Sequence, residues 1–266
     1  MKIAFIGGGN MGRAMISAII DKGLAEPEDI TVADVKEESR EAIVLDLGVF
    51  ATPSNLAAVK DAEVIILAIK PQNLADVTAD LAGKLDSCQL VLSIIAGKKI
   101  STLVDGFKHR AVVRVMPNTP AQIGRGMSVW TATEVVSPKQ KESTQKILTA
   151  MGQELFTPDE NDLDKATALS GSGPAYFFLF MEALVDAGVK MGFSPEVARQ
   201  LVLQTASGSA EYACLSGRDL MELRRMVTSP GGTTAEAIKV FESGDFKGLV
   251  NKAVEAALRR AKELGV

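Results

Sequence analysis

The sequence predicts an α/β fold in which a doubly wound sheet is followed by an all-helical domain. The first observation behind this prediction is a glycine turn at residues 7–12 that follows an apolar run and opens a helical stretch. The second is a change of pattern near residue 157, before which short Val- and Ile-rich runs alternate with helical stretches and after which helix signals continue alone. We therefore predict two domains, residues 1–157 and 158–266.

Continuous apolar runs in the first domain indicate parallel strands that are covered on both faces. These runs lie at 2–6, 30–33, 63–69, 89–95 and 111–116, and runs at 127–132 and 153–156 extend the sheet. Candidate helices lie at 10–23, 37–47, 72–82, 100–106 and 138–151. The alternation is typical of βαβ units.

Helix start signals define the second domain. Ser194 followed by Pro195 is the usual order of an N-cap and a first helical residue. Further predicted helix starts are Asp159, Ser216 and Thr233 or Thr234. The stretch 174–189 is apolar on nearly all sides, but it contains Glu182 and Asp186, so we expect it inside a core or between subunits rather than in a membrane.

Composition bounds the function classes. The chain has 266 residues, 47% of them hydrophobic, and a formal net charge of -4, which fits a globular protein without a basic surface for nucleic acid. Cys88 and Cys214 lack metal-ligand spacing, so we interpret both as small apolar residues in a reducing compartment and expect no metal site. No targeting segment is visible, which favours the cytoplasm.

The sole histidine, His109, lies among charged residues before a predicted strand, and we expect it to be solvated. A Ser/His/Asp triad is therefore not predicted.

The glycine turn predicts a dinucleotide site of the Rossmann type. Gly7 permits the tight turn, Gly9 removes a Cβ that would meet a pyrophosphate, and Gly12 lets the helix lie close to the strand. Asp34 ends the second run at about the 20-residue spacing of the fingerprint, where a carboxylate accepts hydrogen bonds from ribose hydroxyls and repels a 2′-phosphate. We therefore predict NADH or NADPH as cofactor with a preference for NADH, while nearby Arg13 and Lys36 leave dual use open.

Two proline-containing loops follow predicted strands at their carboxyl ends, where open α/β sheets bind ligands. They are Ala68-Ile-Lys70-Pro71-Gln72 and Met116-Pro-Asn118-Thr-Pro120. We expect them to shape a nicotinamide and substrate pocket, although a proline that ends a strand is the alternative explanation.

Two further loops contain glycine and hydroxyl residues. The segment 228–234, Thr-Ser-Pro-Gly-Gly-Thr-Thr, combines successive glycine N–H groups with a helix start, which suits a carboxylate or a phosphate. An ordinary capped helix after a Pro-Gly turn is the alternative. The segment 170–173, Ser-Gly-Ser-Gly, permits close approach of a ligand or of another helix.

These segments together resemble pyrroline-5-carboxylate reductases from end to end. The motifs that carry the resemblance are the glycine turn, AIKPQ at 68–72, RVMPNTP at 114–120, SGSGPAY at 170–176 and VTSPGGTTAEA at 227–237. The resemblance implies hydride transfer from NAD(P)H to the cyclic imine of 1-pyrroline-5-carboxylate to give L-proline. It also implies a homodimer, with a higher ring such as a decamer possible, in which each active site combines the nucleotide domain of one subunit with helices of its mate.

The resemblance assigns roles to individual residues. Amides near Ser229, Gly232 and Thr233 hold the substrate carboxylate, and the hydroxyl of Thr234 faces the ring nitrogen, either as a proton donor or to orient the ring. The full set of expected substrate-binding residues is Ser229, Gly231, Gly232, Thr233 and Thr234. The expected cofactor-binding residues are Gly7, Gly9, Asn10, Met11, Gly12, Asp34, Asn55, Ala68, Lys70, Pro71 and Asn118.

Two other functions compete with this one. A β-hydroxyacid dehydrogenase shares the two-domain plan, but the turn after Gly173 has no lysine to serve as its base, and a ketopantoate-type reductase is disfavoured for related reasons. A non-enzymatic NAD sensor is the alternative outside the enzymes, and the second anion-binding segment at 229–234 argues against it.

Overall fold

A computed structural model describes residues 1–265. The chain divides into two compact units, which we call unit 1 and unit 2. Unit 1 comprises Met1–Ser172 together with the chain from Ala257 onward, and unit 2 comprises Gly173–Ala256. The last strand ends at Phe156, so the predicted boundary at residue 157 follows the end of the sheet, while residues 161–171 still belong to unit 1.

Unit 1 is built on a sheet of eight strands in the order β3-β2-β1-β4-β5-β6-β7-β8. The strands are β1 (Ile3–Ile6), β2 (Ile30–Ala33), β3 (Phe50–Thr52), β4 (Val64–Leu67), β5 (Leu90–Ser93), β6 (Val112–Met116), β7 (Gly126–Ala132) and β8 (Gly152–Phe156). The strand order reverses between β1 and β4, which run parallel with Ile6 opposite Leu67. This is the topological switch point at which doubly wound sheets bind ligands.

Helices cover both faces of this sheet. They are α1 (Asn10–Asp21), α2 (Glu37–Leu47), α3 (Asn55–Val59), α4 (Leu74–Leu81), α5 (Ile100–Phe107), α6 (Pro138–Ala150) and α7 (Asn161–Ala166), and a π-helical turn follows α7 at Thr167–Gly171. Alternate strand residues enter two separate cores, as Phe5 and Ile66 do on one face and Ile6 and Leu67 on the other. The continuous apolar runs are thus explained by burial on both sides.

The direction of β7 differs from the predicted parallel sheet, because β7 is antiparallel to β6. The connection at 117–125 holds only a short 3₁₀-helix, Thr119–Ile123, and a parallel pair would need a crossover of a dozen residues or more. The strand β8 is parallel to β7, so both run opposite to the first six strands.

One strand and one α-helix of unit 1 were not predicted. The edge strand β3 has three residues, and Phe50 within it is exposed, so no apolar run marks it. The helix α3 has five residues, and the side chain of Ser54 caps it by accepting a hydrogen bond from the backbone of Ala57. Both are too short for periodicity to show them.

Unit 2 is helical. Its helices are α8 (Gly173–Lys190), α9 (Pro195–Ser216), α10 (Leu220–Met226), α11 (Thr233–Ser243) and α12 (Phe246–Leu264), and the division between the units falls within α12. The predicted start at Ser194 and Pro195 is confirmed, because the Ser194 hydroxyl accepts a hydrogen bond from the backbone of Val197. The start at Thr233 is confirmed as well.

Two predicted helix starts were wrong. Ser216 ends α9, and Asp219 caps the next helix by accepting a hydrogen bond from the backbone of Glu222. Asp159 accepts a hydrogen bond from the backbone of Asn161, but the N-cap residue of α7 is Glu160. In both places several polar residues adjoin the start, and the sequence alone does not select among them.

The predictions for His109 and the cysteines were also wrong. His109 is buried, and its Nε2 lies 2.8 Å from the carbonyl oxygen of Gln89, a partner that its charged neighbours do not reveal. Cys88 and Cys214 are free and exposed rather than packed as small apolar residues.

The apolar helix α8 exposes its large side chains in the single chain. Phe177, Phe178 and Leu179 are 70%, 60% and 67% exposed. Within the described residues, the continuous helical stretch Asn161–Lys190 has the length and composition of a membrane span, with a mean hydropathy of 1.2 in its most apolar part. An apolar surface that a second subunit covers has the same composition.

Candidate active site

The glycine turn between β1 and α1 brings three backbone segments into close contact. Gly7 has a φ of 100°, and a Cβ built on it would lie 2.6 Å from the carbonyl oxygen of Ala68. A Cβ on Gly12 would lie 2.7 Å from the carbonyl oxygen of Gly7. Both positions therefore exclude a larger residue on packing grounds. The absence of side chains there lets α1 lie close to the ends of β1 and β4.

Gly9 differs, because a Cβ on it would meet no atom within 4 Å. It is the N-cap residue of α1, and no side chain caps that helix. The first-turn N–H groups of Asn10, Met11 and Gly12 have no acceptor inside the helix. Open space in front of uncapped amides at the positive end of a helix fits a pyrophosphate, so these residues suit a dinucleotide.

The carboxylate of Asp34 is held beside this turn. Its Oδ2 accepts hydrogen bonds from the backbone N–H of Gly8 at 2.9 Å and from the hydroxyl of Ser39 at 3.3 Å, and its Oδ1 accepts from the backbone N–H of Lys36 at 2.9 Å. Arg40 donates to the carbonyl oxygen of Asp34 at 2.8 Å. The side chain thus has a fixed orientation at the end of β2 before any ligand binds.

Arg13 and Lys36, the two cations considered for a 2′-phosphate, differ in whether their side chains have an acidic partner. Arg13 forms an ion pair with Asp46 on α2. Lys36 is exposed, and the bond that it makes to Asp34 comes from its backbone. Sequence reasoning missed Ser39 and Arg40, the two α2 residues that contact Asp34.

The loop after β4 continues the same edge of the sheet. The backbone of Ala68 donates to the carbonyl oxygen of Ile6 at 2.8 Å, which extends the pairing of β1 and β4. Lys70 is the exposed N-cap residue of a short 3₁₀-helix that begins at Pro71. Asn55 starts α3, and its amide donates to Asp80 of α4 at 2.9 Å.

The loop after β6 is tied to the π-helical turn through Asn118. The Asn118 amide nitrogen lies 3.3 Å from the carbonyl oxygen and 3.2 Å from the hydroxyl of Ser170, and its Oδ1 accepts from the backbone of Met127 at 2.8 Å. The Asn118 side chain therefore joins the loop after β6 to the π-helical turn and to β7.

A buried charge network that sequence reasoning missed lies on β6. The guanidinium of Arg114, which is 4% exposed, donates to Glu160 at 2.9 Å and to Asp164 at 3.3 Å. Glu160 also accepts from the backbone of Ile100 at 2.7 Å. Arg114 is the first residue of the segment RVMPNTP at 114–120, but its acidic partners lie 46 and 50 residues away in sequence.

The first turn of α7 carries a second, exposed ion pair. Lys165 lies 2.6 Å from Asp162 and, with the hydroxyl of Thr157, lowers the pKa of the Asp162 carboxyl. The same pair raises the pKa of Lys165. Both groups are exposed, so this pair fixes the helix start rather than supplying an acid or a base.

The predicted substrate loop lies in unit 2, between α10 and α11. Gly231 has a φ of 69°, and the backbone of Gly232 donates to the carbonyl oxygen of Ser229 at 3.0 Å. Gly232 is the N-cap residue of α11, and no side chain caps this helix. Thr233 is exposed and Thr234 is half-buried in the first turn, where their N–H groups have no acceptor inside the helix.

The predicted cofactor residues of unit 1 therefore lie along the carboxyl edge of one sheet. Among them, Asn55 donates its side-chain amide to Asp80. The predicted substrate residues are grouped in one loop of unit 2. Within residues 1–265, no group of three or more His, Cys, Asp or Glu side chains could hold a metal ion.

Comparison with known proteins gives two family matches. A model described as pyrroline-5-carboxylate reductase dimerisation matches residues 160–264, and a model described as NADP oxidoreductase coenzyme F420-dependent matches residues 2–97. A pyrroline-5-carboxylate reductase from Pseudomonas aeruginosa is 44% identical over 264 residues, which cover 99% of this chain and 96% of the relative.

Solved structures agree over the whole length. A pyrroline-5-carboxylate reductase from Coxiella burnetii has a TM-score of 0.90 at 37% identity and covers 100% of this chain and 98% of its own. The Plasmodium falciparum pyrroline carboxylate reductase with NADP bound has a TM-score of 0.90 at 33% identity, with the same coverage.

Proposed function

Because this chain belongs to the pyrroline-5-carboxylate reductase family, we propose that it reduces 1-pyrroline-5-carboxylate to L-proline and prefers NADH as hydride donor. The full-length relatives confirm the predicted family and an NAD(P)H-dependent oxidoreductase activity. They also confirm the Rossmann-type domain followed by a helical dimerisation domain. The dehydrogenase and sensor alternatives are set aside.

The surroundings of Gly9 are the observation on which the proposed cofactor site rests. The open space in front of it and the uncapped first turn of α1 leave Asn10, Met11 and Gly12 free to bind a pyrophosphate through their amides. Bound NADH or NADPH supplies the hydride that saturates the imine carbon. The remaining cofactor contacts that we propose are Gly7, Asp34, Asn55, Ala68, Lys70, Pro71 and Asn118.

The preference for NADH rests on Asp34. Three donors already fix its carboxylate, and a carboxylate has about four acceptor positions, so one position remains for a ribose hydroxyl. A 2′-phosphate placed there would meet a fixed negative charge, while Arg13 is paired with Asp46. We propose that these residues favour NADH without abolishing the use of NADPH.

The first turn of α11 supports the proposed substrate site. The amide of Gly232 is used within the turn, so the substrate carboxylate would be held by the N–H groups of Thr233 and Thr234 at the positive end of the helix. Ser229 adds a hydroxyl, and Gly231 allows the turn through its positive φ. A carboxylate is the anion of the proposed substrate.

The hydroxyl of Thr234 is proposed to hydrogen-bond the ring nitrogen. A cyclic imine is basic enough to arrive partly protonated, so the protein needs to orient the ring and exclude water more than it needs a strong acid. A threonine hydroxyl provides such an orienting bond without a change of charge. In this scheme Thr234 is the catalytic residue.

Small-molecule substrates and self-association follow from the family. We propose a homodimer that can assemble into a ring such as a decamer, with α8 in the subunit interface and a cytoplasmic location. The exposed phenylalanines of α8 support an interface, and Glu182 and Asp186 argue against its insertion in a membrane. The net charge of -4 disfavours nucleic acid as a partner.

The decisive experiment follows absorbance of NADH and NADPH with purified protein and 1-pyrroline-5-carboxylate, with a 3-hydroxy acid and NAD as the control reaction. We expect imine-dependent oxidation of both cofactors, with a higher kcat/KM for NADH. A higher kcat/KM for NADPH would retain the reaction and reject the cofactor preference. Turnover of the hydroxy acid alone would reject the reaction.

A further inference from the structure

Three alternate residues of β6 and its loop each contact a different part of the helical segment 160–171. Arg114 binds Glu160 and Asp164, and Asn118 binds Ser170. Between them, the methyl carbon of Met116 lies 2.5 Å from the position that a Cβ of Gly171 would take. Asn118 is extended, with φ −130° and ψ 166°, and its side chain, like those of Arg114 and Met116, contacts the segment 160–171.

The segment that they contact contains a π-helical turn. The backbone of Ser172 donates to the carbonyl oxygen of Thr167 at 2.8 Å, which is the i to i+5 bond of a π-helix. Such turns are rare, and many of them occur at functional sites. The turn places Ser170 at Asn118 and Gly171 at Met116, so a Cβ on Gly171 would displace the end of the Met116 side chain.

We infer that Arg114, Met116, Ser170 and Gly171 are positioning residues for the loop after β6, an inference that rests on the proposed function. Arg114 fixes the helical segment against β6, and the contacts of Met116 and Asn118 then fix the loop 117–120 at the carboxyl edge of the sheet. This loop is expected beside the nicotinamide, while the pyrophosphate is held at α1. Loosening these contacts therefore lowers kcat more than it weakens cofactor binding, because Asn118 is the one proposed cofactor contact that lies in the loop 117–120.

Gly171 offers the sharpest test, because its added methyl has a single identified obstacle. A Cβ there meets the end of Met116 and otherwise lies at 3.8 Å or more from its neighbours. Gly171→Ala should lower kcat by about tenfold, since misplacement by about 1 Å costs up to about 100-fold. Met116→Ala removes the obstacle, so the double variant should recover the kcat of Met116→Ala alone, and the dissociation constant of NADH should stay within about twofold throughout.

Thermal unfolding without cofactor gives a second readout. The two substitutions should be non-additive in the free energy of unfolding, because each changes the space that the other occupies. Ser170→Ala removes one of the two acceptors of the Asn118 amide, and it should lower kcat even if Gly171→Ala fails to fold.

The outcomes separate the two claims. If the unmodified protein oxidises neither NADH nor NADPH with the imine, the proposed function fails and the positioning role fails with it. If the unmodified protein is active but Gly171→Ala and Ser170→Ala keep its kcat, the positioning role alone is rejected. A double variant that is no faster than Gly171→Ala, or a parallel rise in the NADH dissociation constant, also rejects it.

Discussion

The backbone N–H of Gly8 donates to the carboxylate of Asp34 at 2.9 Å, so the turn proposed to bind the pyrophosphate also holds the residue proposed to face the ribose. The donor precedes α1, and the acceptor follows β2, 26 residues later. Two features of the predicted nucleotide site are therefore mechanically coupled. A change in the turn alters the direction of the Asp34 carboxylate, and a change at Asp34 leaves a turn amide without its acceptor.

Replacing Asp34 should change the choice of cofactor. Asp34→Ser removes the charge that repels a 2′-phosphate, and the ratio of kcat/KM for NADH over NADPH should fall by about tenfold or more, since like charges in contact cost several kcal/mol. Steady-state kinetics with both cofactors measures this ratio. Asp29→Ser is the matched control, because Asp29 lies before the opposite end of β2 and pairs with the chain's amino group. An unchanged ratio in Asp34→Ser would remove the residue from cofactor selection.

Gly9 and Gly12 should separate cofactor binding from folding. Gly9→Ala places a methyl in open space, so the free energy of unfolding should change by no more than about 0.5 kcal/mol. The dissociation constant of NADH should rise by about tenfold, because the methyl would meet the pyrophosphate. Gly12→Ala drives a methyl towards the carbonyl oxygen of Gly7 and should lower the free energy of unfolding itself. Calorimetric titration and thermal unfolding give the two values. Equal NADH affinity in Gly9→Ala and the unmodified protein would contradict the proposed pyrophosphate site.

Thr234 should matter for turnover more than for cofactor binding. Thr234→Ala removes the hydroxyl proposed to orient the imine nitrogen, and kcat should fall by about 100-fold, the lower end of the range found when one positioned donor is removed. Thr234→Ser keeps the hydroxyl and should retain most of the activity. Kinetics at saturating imine, with NADH binding measured separately, tests this. Unchanged turnover of Thr234→Ala would exclude the residue from the mechanism.

The exposed face of α8 should be required for self-association. Phe178→Asp would bury an unpaired carboxylate if a second subunit covers Phe178, which is strongly unfavourable, so the dimer should dissociate at micromolar concentration. Light scattering coupled to gel filtration measures the mass. Leu45→Asp is the matched control, since Leu45 is 85% exposed on α2 of unit 1 and should leave the mass unchanged. A dimeric Phe178→Asp would place the interface elsewhere.

Local chemistry accounts for what could be predicted from the sequence. The β1–α1 turn was found because glycine requirements act within a few residues. The helix α2 was predicted with its observed bounds, and Gly48 ends it in a left-handed conformation. The direction of β7 was not predictable from its apolar residues, because the same side chains suit either direction.

Long-range partners explain most of the failures. His109 is buried, and its ring forms a hydrogen bond with a carbonyl oxygen 20 residues away in sequence. Arg114 pairs with carboxylates 46 and 50 residues away. A charged residue in a strand and a histidine in a polar turn both suggest exposure when only their neighbours are known. The contact of Asn118 with Ser170 spans 52 residues and was hidden for the same reason.

The reversal at β7 has a practical consequence for attaching other molecules to this protein. Because β7 runs against β6, the segment 133–137 that follows it lies at the edge opposite the loops after β1, β4 and β6, and Thr133 there bonds to the carbonyl oxygen of Arg110 before β6 begins. A fluorophore or a surface tether introduced at exposed Glu134 would be attached at the sheet edge opposite the proposed nucleotide site. Protein immobilised in this way would have its tether away from the proposed coenzyme-binding residues of unit 1.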